Sequence, residues 1–266
     1  MNQFEGRVAV ITGGASGVGL ATAQLLSEKG CALALVDVNV EKLEAAARHF
    51  QGQGTRTSTH VADVANPERM AGLPDEVVAE HGAVHILVNN AGVSVAGSFE
   101  DQTIEDLQWI VGINFWGVVH GCKFFLPELK KADEAHIVNI SSMFGFIGVP
   151  SQSSYCATKF AVKGLSEALW VELRASNVGV TSIHPGGVNT SIDETMRSYD
   201  DEIRDATVSG LRQSRPPSVV AAAIVKAIEK DRLRVIVGWE AYAADWLKRI
   251  LPIRTHKLIA RRMGGG

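Results

Sequence analysis

The sequence has no strong excess of either charge and few cysteines, and both absences exclude classes of protein. Its 26 Lys and Arg residues nearly balance 29 Asp and Glu residues, for a formal net charge of −3. A general nucleic-acid binder is usually strongly basic, so we expect none here. The three cysteines, Cys31, Cys122 and Cys156, lack paired spacing. They indicate reduced thiols and a cytoplasmic location rather than a disulfide framework.

Long hydrophobic runs and several catalytic motifs are also missing. No segment approaches the roughly 20 apolar residues of a membrane span, and the first residues lack a signal-peptide pattern. The eight histidines are scattered without ligand spacing, so we expect no bound metal. Ser142 lacks the G-x-S-x-G surroundings of a hydrolase nucleophile. We interpret Cys156 as a core residue, with a redox-sensing thiol as the alternative.

Short β-rich apolar segments alternate with longer amphipathic segments along almost the whole chain. The predicted strands are 7–12, 32–37, 56–60, 85–89, 136–140, 178–184 and 234–237. The predicted helices include 17–29, 40–50, 67–81, 103–129, 154–176 and 219–231. This alternation indicates βαβ units and an α/β fold. Because no linker or repeat interrupts it, we predict a single doubly wound Rossmann-type domain over residues 1–266, with about seven parallel strands flanked by helices.

Two segments depart from this alternation. Residues 187–217 are polar and charged, and such an insertion after a strand is usually a substrate loop or lid. We expect its charges to form a solvated outer face, with substrate binding as the alternative. Residues 241–266 form an amphipathic basic tail in which Pro252 predicts two short helices. The tail could cap the substrate mouth, pack against a neighbouring subunit, or lie on an anionic membrane surface.

A glycine-rich turn follows the first predicted strand, where a helix begins. Glycine lets a backbone turn tightly and approach a pyrophosphate, while the helix N-terminus offers free amides. The residues expected to contact a cofactor at this turn are Gly13, Ser16, Gly17, Val18 and Gly19. Asp37 closes the second strand, where a carboxylate can bind ribose hydroxyls and would repel a 2′-phosphate. Neither Ser16 nor Val38 adds a positive charge, so NAD is favoured over NADP; a merely solvated Asp37 is the alternative.

Tyr155 and Lys159 lie four residues apart, about one helical turn, so both project from the same face of a helix. An ammonium group beside a phenol favours the phenolate and lowers a pKa that is ordinarily about 10. The Ser142 hydroxyl, thirteen residues before Tyr155, can hydrogen-bond a carbonyl or alcohol oxygen. This equipment indicates an oxidoreductase that moves a proton on or off an oxygen while a cofactor carries a hydride.

With these motifs in order, the chain resembles the short-chain dehydrogenase/reductase family in its shorter, single-domain branch. The resemblance covers about residues 4–237. It includes the glycine turn, Asp63-Val64, Asn90-Ala91-Gly92, Asn114 and the segment from Pro185 to Thr190. It implies that Tyr155 is the general acid/base, that Lys159 holds the nicotinamide ribose, and that Asn114 positions a water in a proton relay. For Asn114, a hydrogen bond to a neighbouring turn is the alternative.

The resemblance also implies the remaining contacts of the cofactor and the substrate. The further cofactor-binding residues are Asp63, Val64, Asn90, Ala91, Gly92, Pro185, Gly186, Val188 and Thr190. Besides Ser142 and Tyr155, the substrate-binding residues are Val93, Val95, Met143, Phe144, Phe146, Val149, Ile192 and Met196. This lining is apolar and has no arginine clamp. We therefore expect a bulky, hydrophobic secondary alcohol or ketone, such as a steroid-like, terpenoid, aryl or long-chain compound.

Two other functions are compatible with parts of this pattern. A short-chain epimerase or dehydratase would keep its cofactor bound, but such relatives usually carry a larger substrate domain. A regulatory protein could sense NAD without turnover, although it would not need Ser142, Tyr155 and Lys159 together. The resemblance further implies a homodimer or homotetramer that pairs the long fourth helix and the helix bearing Tyr155 between subunits.

Overall fold

Seven strands form one parallel sheet in the computed structural model, which describes residue 1 and residues 3–263. They are β1 (Val8–Thr12), β2 (Ala32–Asp37), β3 (Thr57–Val61), β4 (Ile86–Asn89), β6 (Ala135–Ile140), β7 (Val178–Pro185) and β9 (Arg234–Val237). The short strands β5 (Val95–Ala96) and β8 (Arg197–Ser198) pair with each other outside this sheet. The order across the main sheet is β3-β2-β1-β4-β6-β7-β9. The predicted doubly wound parallel sheet is confirmed.

Helices cover both faces of the sheet. The first six are α1 (Gly17–Glu28), α2 (Val40–Gly52), α3 (Pro67–His81), α4 (Ile104–Val111), α5 (Gly117–Lys131) and α6 (Ser153–Glu172). The others are α7 (Ile192–Thr195), α8 (Asp201–Arg212), α9 (Pro217–Glu229), α10 (Trp239–Ile250) and α11 (Arg254–Met263). A π-helical turn, Gly112–Trp116, joins α4 to α5, and a 3₁₀ turn, Met143–Gly145, follows β6.

Alternation along the buried strands builds a core on each side of the sheet. Ile11 of β1 packs with Phe50 of α2 on one face, while its neighbour Val10 packs with Phe125 of α5 on the other. All four side chains are fully buried, and each such burial contributes about 1.5–3 kcal/mol. Strands of a parallel sheet that is covered on both faces contain nearly continuous apolar runs, and Val8, Ala9, Val10 and Ile11 of β1 form such a run.

The element boundaries differ from the predictions by a few residues at most, where local side-chain chemistry decides. For α3, Asn66 caps the start through its side chain, and Gly82 ends the helix in the left-handed region. The predicted end of α6 at residue 176 is wrong, because the helix stops at Glu172. There, the Ser176 hydroxyl donates to the Leu173 carbonyl and accepts from the Val178 amide, which turns the chain into β7.

The chain reverses direction across the sheet between β1 and β4. From β1 it builds β2 and β3 on one side, and then returns to place β4 on the other. At such a switch point the loops after neighbouring strands diverge and leave a crevice at their carboxyl ends. The glycine turn after β1 and the Asn90-Ala91-Gly92 segment after β4 therefore meet at one crevice.

The segment 187–217, for which we keep the name lid, is folded rather than irregular. It contains α7, β8 and α8, and β8 pairs with β5. The Asp200 side chain accepts hydrogen bonds from the amides of Glu202 and Ile203, which satisfies the first turn of α8. Asp200, one of the charged residues that suggested a solvated loop, is therefore the N-cap of α8.

The tail forms two helices, α10 and α11, that separate near Pro252, as predicted. On α10, Ala241 and Ala244 are buried against Phe146 and Ile147. The tail therefore covers the chain's own surface behind the 3₁₀ turn. Its predicted portion beyond residue 263 lies outside the described residues.

The continuous helical segment 104–131 is long and apolar enough to span a membrane. It nevertheless packs against α3 and β4, with Ile110, Phe125 and Leu129 fully buried. These contacts identify it as a core helix of the domain.

Candidate active site

A cavity of about 1150 Å³ opens at the carboxyl ends of the central strands. It runs from the glycine turn to the inner side of the lid. Most of the residues that the sequence predicted for cofactor or substrate line it. They are Gly13, Ser16, Gly17, Val18, Asp37, Val38, Asp63, Val64, Asn90, Ala91, Gly92, Val93, Ser142, Met143, Phe144, Val149, Tyr155, Lys159, Pro185, Gly186, Val188, Thr190, Ile192 and Met196.

The glycine turn forms a cradle at one end of the cavity. Gly13 and Gly17 adopt φ angles of +62° and +52°, which only glycine adopts without strain. A Cβ atom added at Gly19 would overlap the carbonyl oxygen of Gly13. Ser16, the N-cap of α1, accepts a hydrogen bond from Ser191 instead of capping the helix amides. A helix start with free amides and a close backbone approach fits the pyrophosphate of a dinucleotide.

Asn90 and Thr12 lock this turn to the end of β4. The Asn90 side-chain amide donates to the carbonyls of Thr12 and Gly13 at 3.0 and 3.1 Å. The Thr12 hydroxyl accepts from the backbone amides of Asn90 and Ala91. The shape of the cradle is therefore set by hydrogen bonds within the crevice, and the Asn90 side chain acts on the turn itself.

Two carboxylates follow β2 and β3 at the same edge of the sheet. Asp37 accepts from the Ala15 amide at 3.2 Å and from the Asn39 amide at 3.0 Å. Asp63 accepts from the Ala65 amide at 2.9 Å. Asp37 thus ties the glycine turn to the start of α2, which goes beyond a merely solvated strand end. Both carboxylates remain on the cavity wall.

Ser142, Tyr155 and Lys159 converge at the middle of the cavity. The Lys159 ammonium donates to the Ile140 carbonyl at 3.0 Å and lies 5.5 Å from the centre of the Tyr155 ring. Tyr155 and Ser142 both line the cavity there, and the Ser142 hydroxyl also accepts from the Phe144 amide at 3.1 Å. Ser141, by contrast, donates to the Lys159 carbonyl at 2.8 Å. The two neighbouring serines therefore face opposite ways, as their extended backbone predicts.

Burial changes the acidity of both titratable groups. Desolvation raises the pKa of Tyr155 to about 12, and the polar Ser142 side chain opposes this rise. Desolvation also lowers the pKa of Lys159 to about 8. The expected lowering of the Tyr155 pKa is therefore not produced by the chain alone, because removal of the phenolate from water outweighs the opposing effect of Ser142. Further positive charge beside Tyr155 is needed to reverse this direction.

Asn114 lies behind this group, in the π-helical turn. Its side-chain oxygen accepts from the Val93 amide at 2.8 Å, and its side-chain nitrogen donates to the Val93 carbonyl at 2.9 Å. The same nitrogen donates to Thr158 at 3.3 Å. The bonding to a neighbouring turn, considered above as the alternative, is thus present. π-helical turns recur at functional sites, and this one fixes Val93 on the cavity wall.

Val95 and Phe146 lie outside the cavity, contrary to the prediction that they contact substrate. Val95 is fully buried in β5, where it pairs with Arg197 of the lid. The Phe146 ring packs 5.5 Å from the ring of His184 and contacts the tail. Sequence position relative to Ser142 and Gly92 placed both near the site, but neighbouring elements cover them.

His184, which sequence reasoning missed, supports Ser142 from below. Its Nδ1 lies 3.0 Å from the Ser142 carbonyl oxygen, and because a carbonyl only accepts, this nitrogen is the donor. Burial lowers the pKa of His184 to about 4, so the ring is neutral near pH 7. The imidazole fixes the backbone that carries the Ser142 hydroxyl. Strand position alone offered no signal for this contact.

An ion pair from the tail, also missed, clamps the segment after β7. Arg215 and Glu240 form a bidentate pair at 2.6 and 2.8 Å. Glu240 accepts from the Gly187 amide at 3.1 Å, and Arg215 donates to the Gly187 carbonyl at 2.6 Å. The backbone amide and carbonyl of Gly187 are thus both held by this ion pair. At the preceding residue, Gly186, an added Cβ atom would overlap the Glu240 side chain.

The far wall of the cavity is the inner face of α8. Its residues on that wall are Ile203, Ala206, Thr207, Gly210 and Leu211. The spacing of three and four residues is helical and was readable from the sequence, but the surrounding charges masked it. Ser94 and Gln152 add polar groups to the same chamber, with their side chains 3.3 Å apart.

A cluster of polar side chains fastens the lid to α4. Arg197 forms an ion pair with Asp106, and the Tyr199 hydroxyl donates to the same carboxylate. The Arg197 guanidinium also lies 3.9 Å from the centre of the Trp109 ring. These contacts hold the pKa of Asp106 below its usual range. We call Asp106, Trp109, Arg197 and Tyr199 the lid clasp.

Comparisons with known proteins agree with this geometry. The family model for short chain dehydrogenases matches residues 7–201. The Mycobacterium tuberculosis protein named as the oxidoreductase SadH is 42% identical over 98% of this chain and 96% of its own length. The 3-ketodihydrosphingosine reductase of Bacteroides thetaiotaomicron is 31% identical, with 84% of each chain covered.

Solved structures show the same fold. A short-chain dehydrogenase/reductase from Burkholderia phymatum in complex with NAD has a TM-score of 0.88 at 29% identity, with 100% of this chain and 99% of that chain covered. An alcohol dehydrogenase from Thermococcus sibiricus complexed with 5-hydroxy-NADP has a TM-score of 0.75 at 26% identity, with 87% and 95% covered. The predicted resemblance is confirmed, and the chain belongs to the short-chain dehydrogenase/reductase family of oxidoreductases, whose members bind a nicotinamide cofactor.

Proposed function

We propose that this protein interconverts a bulky, hydrophobic secondary alcohol and the corresponding ketone with NAD. The observation that carries the proposal is the convergence of Ser142, Tyr155 and Lys159 at the junction between the glycine cradle and an apolar chamber. A bound nicotinamide cofactor supplies the hydride chemistry and, when oxidised, a positive charge. The side chains supply proton transfer and orientation.

Tyr155 is proposed as the general acid/base at the substrate oxygen. Tyr155 and Ser142 line the same part of the cavity, so the oxygen of a substrate carbonyl placed between them would accept from both hydroxyl groups. Lys159 is anchored to Ile140, so its charge stays near Tyr155 and stabilises the phenolate that forms during alcohol oxidation. Asn114 is proposed to act by positioning, with a water relay as the role implied by family likeness.

NAD is proposed as the preferred cofactor because of the carboxylate after β2. Asp37 lies on the cavity wall beside exposed Val38, and a negative charge there disfavours a 2′-phosphate. Similar structures hold either kind of dinucleotide, so likeness alone does not separate them. Asp37→Ser should lower the ratio of kcat/KM for NAD to that for NADP by at least tenfold, with Asp63→Ser as the matched carboxylate control.

The substrate class rests on the chamber between Tyr155 and the lid. Met143, Phe144, Val149, Ile192 and Met196 face it, and most of the lid helix lining is apolar. Burial of a large apolar substrate there contributes about 25 cal/mol for each Å² removed from water. A relative named as a 3-ketodihydrosphingosine reductase supports the proposal of an apolar keto substrate.

The test is NADH formation from NAD across a panel of apolar secondary alcohols and small polyols. Tyr155→Phe keeps the ring but removes the proton donor, so turnover should fall by about 10³-fold while NAD binding measured by calorimetry stays within twofold. Equal turnover of small polyols would contradict the substrate class. NAD binding without turnover on any alcohol would instead favour a sensor.

A cytoplasmic homodimer or homotetramer is proposed for the assembly. Trp116 on the π-helical turn is 49% exposed, and Phe160 and Val171 on α6 are 42% and 67% exposed. These side chains lie on the two helices that family likeness pairs between subunits. Cys31, Cys122 and Cys156 are buried free thiols, which is compatible with a reducing compartment. Light scattering that finds a dilute monomer would contradict the oligomer.

A further inference from the structure

The tail helices expose a continuous apolar stripe on the side that faces away from the domain. On α10, Trp239 is 80% exposed, Tyr242 is 52%, Trp246 is 64% and Ile250 is 63%. These positions follow a spacing of three and four residues, so they lie on one face of the helix. The opposite face carries the buried Ala241 and Ala244. The inner face of α10 therefore packs on the domain, and the outer stripe is exposed to solvent in the part of the chain that the structure describes.

The stripe continues past the end of α10. Ile253 in the connection is 73% exposed, and Leu258 of α11 is 46% exposed. Large apolar side chains concentrated in this way usually mark an interaction site. We call Trp239, Tyr242, Trp246, Ile250, Ile253 and Leu258 the tail stripe.

The charge of the same segment differs in sign from that of the remaining chain. Residues 239–263 contain six Lys and Arg residues and two acidic residues, for a net charge of +4. Since the whole chain has a net charge of −3, the remaining residues together carry −7. Both acids of the segment are paired within the domain, Glu240 with Arg215 and Asp245 with Arg234. The cations Arg254, Lys257 and Arg261 are exposed in the same segment as the tail stripe.

We propose that the tail stripe docks on the surface of an anionic lipid bilayer. Trp and Tyr side chains are favoured at the level of the lipid headgroups, with apolar side chains below them and Lys and Arg beside the lipid phosphates. A self-complementary contact with a second copy of the chain would bring two segments of charge +4 together, which favours the bilayer as the occupant. The formal net charge of the whole chain does not reveal the basic tail, because the negative charge of the remaining residues offsets it.

Docking in this orientation places the cavity near the lipid surface. Trp239 and Glu240, the first residues of α10, belong both to the tail and to the cavity wall. An apolar substrate could then pass between bilayer and cavity with little exposure to water, a consequence that rests on the proposed function. The docking itself does not, because it follows from the exposed residues and their charge.

The test is co-sedimentation of the full-length protein with vesicles at 0.1 M salt. One vesicle is phosphatidylcholine alone, and the other contains about one third phosphatidylglycerol. We expect at least tenfold stronger partitioning onto the anionic vesicles, and most of it should be lost at 0.5 M salt because the Debye length shortens. Each cation near such a surface contributes about fivefold to binding, so Arg254→Gln with Lys257→Gln should abolish the preference for anionic vesicles.

Apolar contact is tested with Trp246→Ser, Ile250→Ser and Ile253→Ser combined, which should reduce partitioning at least tenfold. The matched control, Phe99→Ser with Val219→Ser, removes side chains that are 68% and 44% exposed elsewhere and should bind as the unchanged protein does. Circular dichroism melts and NADH formation without vesicles verify that each variant is folded. No partitioning of the unchanged protein overturns the proposal. So does a tail variant that keeps full vesicle binding, or one that loses an oligomer seen by light scattering.

Discussion

The cofactor end of the cavity and its lid are held in place by different kinds of interaction. At the cofactor end, Gly13 and Gly17 take backbone conformations that only glycine favours. The Asn90 side-chain amide holds the turn by donating hydrogen bonds to two of its backbone carbonyls. The lid instead depends on charged side chains from distant parts of the chain, namely the lid clasp and the Arg215–Glu240 pair. Backbone geometry tolerates almost no change, whereas ion pairs at partly exposed positions contribute modestly and can open.

The strongest way to break the cofactor end is Gly19→Ala. The added Cβ atom would overlap the Gly13 carbonyl oxygen and crowd the Asn90 amide nitrogen at 2.7 Å, so the turn must shift. We expect NAD affinity, measured by calorimetry, to fall at least a hundredfold. Gly72→Ala in α3 is the matched control, since its Cβ meets open space and should stabilise the protein by up to about 1 kcal/mol. Unchanged affinity in Gly19→Ala would contradict the cradle.

Lys159, which lies between the cofactor end of the cavity and the lid, predicts how the stability of the protein changes with pH. Its pKa is about 8 in the folded chain against 10.5 for the free side chain. The unfolded chain therefore binds more protons between pH 8 and 10.5, and the free energy of unfolding should rise with pH there. Relative to Lys159→Met, the unchanged protein should gain about 2 kcal/mol between pH 7.5 and 9.5 in urea titrations. Parallel curves for the two proteins would show that the charge is not desolvated.

The tail clamp offers a smaller test. Glu240→Gln keeps an oxygen for the Gly187 amide but removes the ion pair with Arg215, so the segment after β7 should be less firmly held. We expect KM for NAD to rise about fivefold with little change in protein stability. Glu229→Gln, on the exposed pair with Lys29, is the control and should have no effect. A fall in kcat alone would indicate that the clamp acts on another step.

A substitution in the lid clasp should give the smallest change in kinetics, and it tests directly whether the lid and the cofactor end act independently. Arg197→Met removes the ion pair with Asp106 and the contact with Trp109, while NAD contacts at the cradle are untouched. We expect KM for the alcohol to rise about threefold in steady-state assays and NAD affinity to stay unchanged. Arg204→Met removes an exposed cation from α8 and serves as the control. A loss of NAD affinity in Arg197→Met would mean that the two ends are coupled.

Most of the fold was predictable because it depends on local pattern. The segments that form β1, β2 and β9 each contain a run of at least three apolar residues. The sequence of α3 itself contains the cap and the terminating glycine. The lid was less predictable, since the charges on α8 concealed a helical apolar face. The end of α6 depends on hydrogen bonds of the Ser176 side chain, and the start of α8 depends on amides that donate to the Asp200 side chain. The hydrophobic periodicity of the sequence does not reveal either contact.

The candidate site divides in the same way. The spacing of Ser142, Tyr155 and Lys159 placed them on an extended segment and on one helix face, and the glycines marked the turn. The supports of that site were not readable, because His184, Arg215 and Glu240 reach it from β7, the end of the lid and the tail. Val95 and Phe146 were placed in the cavity by sequence proximity, yet elements far along the chain bury them.

The sequence by itself therefore determined the sheet, the glycine turn, the Ser142–Tyr155–Lys159 group and the family, since each rests on residue type and short-range spacing. Only the tertiary structure decided which side chains line the chamber, what clamps Gly187, how burial shifts the pKa values of Tyr155 and Lys159, and which face of the tail stays exposed. These properties depend on contacts and desolvation between segments that lie 91 or even 175 residues apart in the chain, and local patterns carry no record of such separations.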